Sequence, residues 1–189
     1  MARLPQNLLV EVTEVSQTFD LGDITGVDLS ESNDLKNRIG QAFIDKIVSR
    51  SKSGVDLYGN AFAAYAESYK KSDVFEAFGK SDNVNMTLTD NMNSSLDIVE
   101  NSGNNIKLGW NDSLNNAKAY NHMVGDTVKK RLHFGLRKSD VSEVLADFKK
   151  EIGDLKKTQQ PSDILSSLAV TAITGENESI IINIGDFFG

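Results

Sequence analysis

The chain has 189 residues, 39% hydrophobic and 25% charged, with a net charge of −7, which is the composition of one ordinary globular domain with room for an arm. It has no cysteine, which excludes disulfides, thiolate metal sites and cysteine nucleophiles, and its two prolines are too few for rigid spacers. No apolar run approaches the roughly 18 residues a bilayer helix needs, and the opening MARLPQNLLVEVTEV, broken by Glu11 and Glu14, does not read as a signal peptide, so synthesis in the cytosol is expected.

In chain order, Leu8–Val15 alternates, with Val10 and Val12 on one side and Glu11 and Thr13 on the other, which predicts a half-buried strand. Phe19–Leu29 is rich in Gly and Asp and reads as a loop. Ser30–Ser32 supplies caps for a helix to about Arg50, in which Leu35, Ile39, Phe43 and Ile47 form a stripe and Lys36, Asn37, Asp45 and Lys46 lie off it. Ser53-Gly54 is its stop. Leu57–Ser72 sets Tyr58, Phe62, Tyr65 and Tyr69 at near-helical intervals, a pattern that suits packing better than a cofactor box. Gly79-Lys80-Ser81 lacks the upstream Gly and the leading strand of a phosphate loop.

Asn83–Leu88 reads as an extended lead-in and Thr89–Ser95 as a short turn or helix. Leu96–Glu100 and Asn105–Gly109 form a hairpin across Asn101-Ser102-Gly103-Asn104. Asn111-Asp112-Ser113 caps a short helix over Leu114–Asn121, and Val128–Phe134 is a further strand. From Ser139 a second amphipathic helix carries Val141, Val144, Leu145, Phe148, Ile152 and Leu155, with Asp140 and Glu143 in its first turn. Ser162–Leu168 reads as one or two helical turns, and Ala169–Ile173 with Ser179–Ile184 as a second hairpin before Asp186-Phe187-Phe188-Gly189. Such an apolar, base-free ending suits either core packing or an arm docked on a neighbouring subunit.

The elements sum to an α+β fold: a small, mostly antiparallel sheet packed with two amphipathic helices, over residues 1–157, plus a C-terminal β-hairpin arm over 158–189. The chemistry expected of it is sparse. Two histidines, His122 and His133, have neither the spacing to hold zinc nor a Gly-x-Ser-x-Gly partner, and His122 suits a turn-stabilising hydrogen bond. No catalytic, cofactor or metal residue is assigned, and no enzyme activity is expected.

Charge is uneven. Residues 1–34 hold Arg3 against seven acids, residues 129–157 hold nine bases against five acids, and no base follows Lys157. Chance clustering on a solvated surface yields such a split, and so does head-to-tail self-association. The candidate subunit interface is therefore the basic Lys129, Lys130, Arg131 and Arg137, the acidic Glu11 and Glu14, and the terminal Phe187 and Phe188. A competing reading is a cytosolic nucleic-acid-associated protein using the basic 129–157 region.

Ordered pieces within Gly54–Leu136 suggest a family. They are Gly59-x-x-Phe62 leading to Tyr65 and Ser68-Tyr69, Gly79-Lys80-Ser81, Val84-Asn85-Met86-Thr87-Leu88-Thr89, Ser94-Ser95-Leu96, Tyr120-Asn121-His122 through Gly125, and Arg131 to Phe134-Gly135-Leu136. With the Leu35–Arg50 helix before them, this sequence resembles the neck and tail-completion proteins of tailed bacteriophages, the head–tail joining or virion-morphogenesis group. Asp90 stands where that family commonly has Gly, and Lys130-Arg131-Leu132-His133 where it has Pro-Arg-Pro-Phe. The resemblance implies a homo-oligomeric ring in the virion, between portal and tail, contacting other neck, portal-adaptor or tail proteins. Genomic DNA would pass through its lumen without sequence-specific binding, and no membrane or cofactor is involved. A tail terminator or another minor tail protein is the alternative within the same class.

Overall fold

The computed structural model of the chain describes residues 14–87, 90–125 and 128–159. The expected 158–189 arm, including Phe187 and Phe188, lies outside them apart from Thr158 and Gln159, as do Glu11 and most of the Leu8–Val15 strand.

The fold is α+β, with a three-stranded antiparallel sheet at its centre. Strands β1 (Gln17–Asp20), β2 (Leu96–Ser102) and β3 (Asn105–Trp110) lie in the order β1-β3-β2. The hairpin forms as its alternation predicts, with Ile98 opposite Leu108 and Ser102 opposite Asn105. Its turn is tight because Gly103 adopts φ 52°, a left-handed conformation that costs a glycine little. The register shifts between Ile98 and Glu100, a bulge on an outer strand that also carries Asp97 and Glu100. Bulges and acids both discourage stray edge pairing.

The stretch expected to be a loop instead enters the core. Phe19 in β1 faces Ile106 across the ladder and stacks on Phe43 with ring centroids 4.9 Å apart. Asp20 then caps a one-turn helix α1 (Leu21–Thr25), accepting from the Asp23 N–H at 3.0 Å, and Gly26 ends it in the left-handed region. Leu21, Ile24, Val27 and Leu29 are all buried, so the glycines and aspartates punctuate a packed segment.

Helix α2 (Asn33–Lys52) carries the central stripe, with Leu35, Ile39, Phe43, Ile44 and Ile47 buried against the sheet. Gly40 belongs to that face: a Cβ there would lie 2.6 Å from Ile98 Cδ1, so the Ile98 side chain fills the space beside the glycine. Lys36, expected off the stripe, is buried instead. Its stem runs along the core while Nζ donates to the Gly103 carbonyl at 2.6 Å. Ser53 and Gly54 end the helix as expected. Gly54 has φ 78°, and a Cβ would meet the Val84 carbonyl at 2.6 Å. Gly54→Ala should therefore lower stability by about 2 kcal/mol, because a backbone carbonyl cannot swing away and the left-handed strain adds to the clash. Denaturant unfolding measures this directly, and a loss below about 0.5 kcal/mol would show that the 54–84 contact yields easily.

After Gly54 the chain departs most from expectation. No long helix covers 57–72; an irregular stretch leads to two single-turn helices, α3 (Glu67–Lys70) and α4 (Asp73–Ala77). Tyr58 is exposed, while Tyr65, Tyr69 and Phe75 form a cluster with centroids 5.2–5.7 Å apart. The aromatic spacing served this local cluster and not a helical stripe. Helix α5 (Asn91–Ser94) precedes the hairpin, and α6 (Ser113–Val124) follows it, capped by Asp112, which accepts from Asn115 N–H at 2.7 Å.

Residues 128–134, expected as a strand, join no ladder: His133 N–H donates to Arg131 O at 2.9 Å, a tight turn about Leu132. They lie over α6 and the 54–65 stretch, where Arg131 N–H donates to His122 O at 2.7 Å and Leu57 N–H to Leu132 O at 2.7 Å. Helix α7 (Lys138–Asp147) starts one residue earlier than expected, and Phe148 breaks it from α8 (Lys149–Thr158). These two helices run back along α2, tied to it by Arg50–Asp140, Lys46–Glu143 and Arg38–Glu151. Among the described residues, no helix is long and apolar enough to cross a membrane.

Candidate functional site

The site begins at the C-terminal end of α2, where three segments meet. Ser51 Oγ and an Arg50 guanidinium nitrogen both donate to the His133 carbonyl at 3.2 Å, and the same Arg50 nitrogen donates to Gly135 O at 2.6 Å. Arg50 also pairs with Asp140 at 3.2 Å, and both side chains are almost sealed from solvent, at 8% and 2% exposure. Asp140 turns inward, accepting from the Arg137 backbone N–H at 3.0 Å and from its guanidinium at 2.9 Å. Burial alone would raise the Asp140 carboxyl, but the Arg137 hydrogen bonds and the charges of Arg137 and Arg50 outweigh it and hold it below the usual carboxylate range.

Above this lies the histidine pair. His122 on α6 and His133 have ring centroids 6.1 Å apart, edge to face, and Trp110 packs on His133 at 6.1 Å. Each imidazole bonds to main chain, His133 Nδ1 to the Arg131 carbonyl at 3.2 Å and His122 to the Lys129 backbone. His122 thus sits inside a helix and not in the turn the sequence suggested. Burial, reinforced by the nearby Arg131 charge, pushes His122 down to about 4, and burial also takes His133 to about 4.

Both histidines are therefore neutral in the folded state at pH 7, whereas in the unfolded chain they take up protons below about 6.5. Stability should be unaffected by them above pH 6.5 and fall as pH drops from 6.5 toward 4, by about 1.4 kcal/mol per pH unit for each histidine. His133→Phe should flatten that limb by about half; an unchanged slope in urea titrations at pH 5 to 7 would show that the ring is not held neutral.

Arg131 continues the site outward. It is buried, at 7% exposure, with one guanidinium nitrogen donating to Ala63 O at 3.2 Å and its carbon 5.6 Å from the Tyr65 ring centroid. This arginine tethers the aromatic cluster to the core. Its Nε, His122 Nδ1 and His133 Nε2 are buried without a hydrogen-bond partner. Tyr65, Tyr69, Met86, His122, Val128 and Arg131 line a groove of about 770 Å³ with Lys129 on its rim.

The predicted interface residues thus separate. Lys129 and Lys130 are exposed, and no acidic partner for either is found among the described residues. Arg131 is buried and Arg137 is engaged with Asp140, so neither is free to meet a neighbour's acid. Glu14 pairs with Lys107 at 2.6 Å within the chain, and that hydrogen bond lowers its pKa. Bases farther along also find acids at home: Lys150 and Lys157 both bridge to Asp154. That leaves less free positive charge over 129–157 than the sequence count suggests. Among the described residues no group of His, Cys, Asp or Glu is arranged to hold a metal ion.

The sequence missed Asp140 and Arg50 as a buried pair because their partners lie 90 positions apart. It missed the groove because the near-helical spacing of Tyr65 and Tyr69 does not say that residues 122–131 lie beside them. No protein-family model, no curated protein and no solved structure matches the chain.

Proposed function

We propose that this chain is a structural subunit of the tailed-bacteriophage virion, a neck or tail-completion protein whose copies close into a ring through which DNA passes. The observation that carries the reading is the backbone at Asp90. In the sequence pattern this position departs from the family's usual glycine, and here it has φ 57°, one of two non-glycine positive values among the described residues. A glycine preference there has a physical cause, since L side chains rarely adopt that conformation. The remaining pieces of the resemblance support it by their grouping: Tyr65, Tyr69, Met86, His122, Gly125 and Arg131, from separate stretches, line one groove.

In this role the subunit acts by shape. Ring closure needs a heterologous contact, one face of each copy meeting a different face of the next. The exposed Lys129 and Lys130 supply a positive face, and the acid-rich N-terminal segment with Glu11 supplies a negative one. A net charge of −7 per copy, repeated around a ring, would give the channel a wall that does not hold phosphate. Negative-stain microscopy of the concentrated protein should show closed rings with a central bore; open filaments would contradict ring closure.

The nucleic-acid reading makes the opposite prediction in solution. A ring subunit with such a wall should, once purified, pass through immobilised duplex DNA at about 150 mM salt without retention. Retention that weakens steeply with added salt would favour a DNA-binding role for Lys129 and Lys130.

A further inference from the structure

We propose that the groove beside Arg131 is the receptor for the Asp186-Phe187-Phe188 segment of a second copy of this chain, so that each subunit hands its C-terminal arm to the next. The inference rests on the ring reading and adds to it the contact that links subunits.

Chemistry matches the two sides. The groove is walled by Tyr65, Tyr69, Met86 and Val128, and edged by Lys129 with Arg131 at its floor. Val128 is 38% exposed, a large apolar side chain left open at the rim. Residues 160–189 carry four acids and no base, and include the adjacent Phe187 and Phe188. Aromatic side chains entering an aromatic- and Met-lined groove gain both area burial and ring contacts. The preceding Asp186 is, like the acids of the N-terminal segment, of opposite charge to Lys129 at the rim.

Geometry gives the arm reach to a neighbouring copy. The described chain leaves α8 at Gln159, which is clamped to the far end of the domain: its amide donates to Asp28 O at 2.6 Å and accepts from Asp28 N–H at 2.9 Å. Asp28 precedes the start of α2, whereas the groove includes Val84, whose carbonyl lies against Gly54 just past the helix's C-terminal end. Helix α2 is 20 residues, about 30 Å, long, and the exit lies toward its start and the groove toward its end. Thirty residues reach about 100 Å when extended, enough to cross to an adjacent copy. An arm leaving one pole and a receptor at the other make a contact that is not self-complementary, which is the kind that propagates around a ring.

The absence of native cysteine makes the test clean. Phe188→Cys and Val128→Cys are made separately in the full chain, mixed, and oxidised, with Asp97→Cys on the outer strand replacing Val128→Cys as control. The expected result is a disulfide dimer whose linked peptides join positions 188 and 128, and no more than background between 188 and 97. Equal cross-linking at 97 and 128, or none at 128, overturns the proposal. So does a bond that forms only within one chain when both cysteines are placed together and never on mixing. The particle mass of the unmodified protein separates the two claims. Discrete rings without the 188–128 bond would remove the receptor and leave the ring reading standing. The bond in a protein that forms only open chains would uphold the receptor and remove the ring.

Discussion

Asp140→Asn should be the most damaging single conservative substitution in the described fold, lowering stability by about 3–5 kcal/mol. The amide keeps the shape of the carboxylate but not its charge, which leaves Arg50 buried at 8% side-chain exposure with nothing to balance it. The loss does not stop at one pair. Arg50 also holds the carbonyls of His133 and Gly135, and Asp140 accepts the backbone N–H that opens α7. For a domain of this size the cost corresponds to a fall in Tm of roughly 10 °C.

Acid should reproduce part of the effect. The folded-state pKa of Asp140 lies below its unfolded value, so its contribution is present above about pH 4 and lost as pH falls through the lower folded value. That limb lies below the one set by the two histidines, so the two are separable in a pH series. Arg137→Gln is the internal control. Arg137 is 42% exposed, and removing it leaves the Arg50–Asp140 pair intact, so a cost of about 1 kcal/mol is expected. An Asp140→Asn protein melting within about 2 °C of the wild type would show that the pair contributes little.

Reversing Lys129 and Lys130 to Glu should dissociate the proposed ring into single subunits while leaving Tm unchanged. Both side chains are exposed and have no acidic partner among the described residues, so the fold has no need of their charge. Arg131 is kept out of the variant because it is buried under Tyr65 and tethered to Ala63, and its reversal would disturb the core itself. Across a subunit contact, both reversals turn an attraction toward the acidic N-terminal segment into a repulsion, and like charges in register cost several kcal/mol. A compensating Glu11→Lys should recover part of the assembly. Sedimentation reads both results; a double reversal that sediments as the wild type does removes these lysines from the interface.

Much of the fold could be read from the sequence because it follows from local spacing. The α2 stripe of Leu35, Ile39, Phe43 and Ile47, the 96–110 hairpin and the Asp112 cap all depend on neighbours within a few positions. What escaped depends on distant partners. Phe19 and Leu21 join the core only because Phe43 and Asn104 meet them there, and nothing in a Gly-Asp stretch announces that. Tyr65 and Tyr69 have helical spacing, yet Phe75 closes a ring cluster that outcompetes a continuous helix. Residues 128–134 read as a strand but pack on α6 and the 57–63 stretch, with no ladder beside them. The basic run was visible, but the division between exposed Lys129 and Lys130 and buried Arg131 comes from the groove.

The measurement that bears most directly on the central claim is the mass of the purified protein in solution by light scattering across a range of concentrations. A single discrete particle of many 20.7 kDa subunits, unchanged on dilution over tenfold, is the predicted result. A protein that stays at one subunit's mass at every concentration, and yields no larger particle, would contradict the view that it functions through contacts between its own copies.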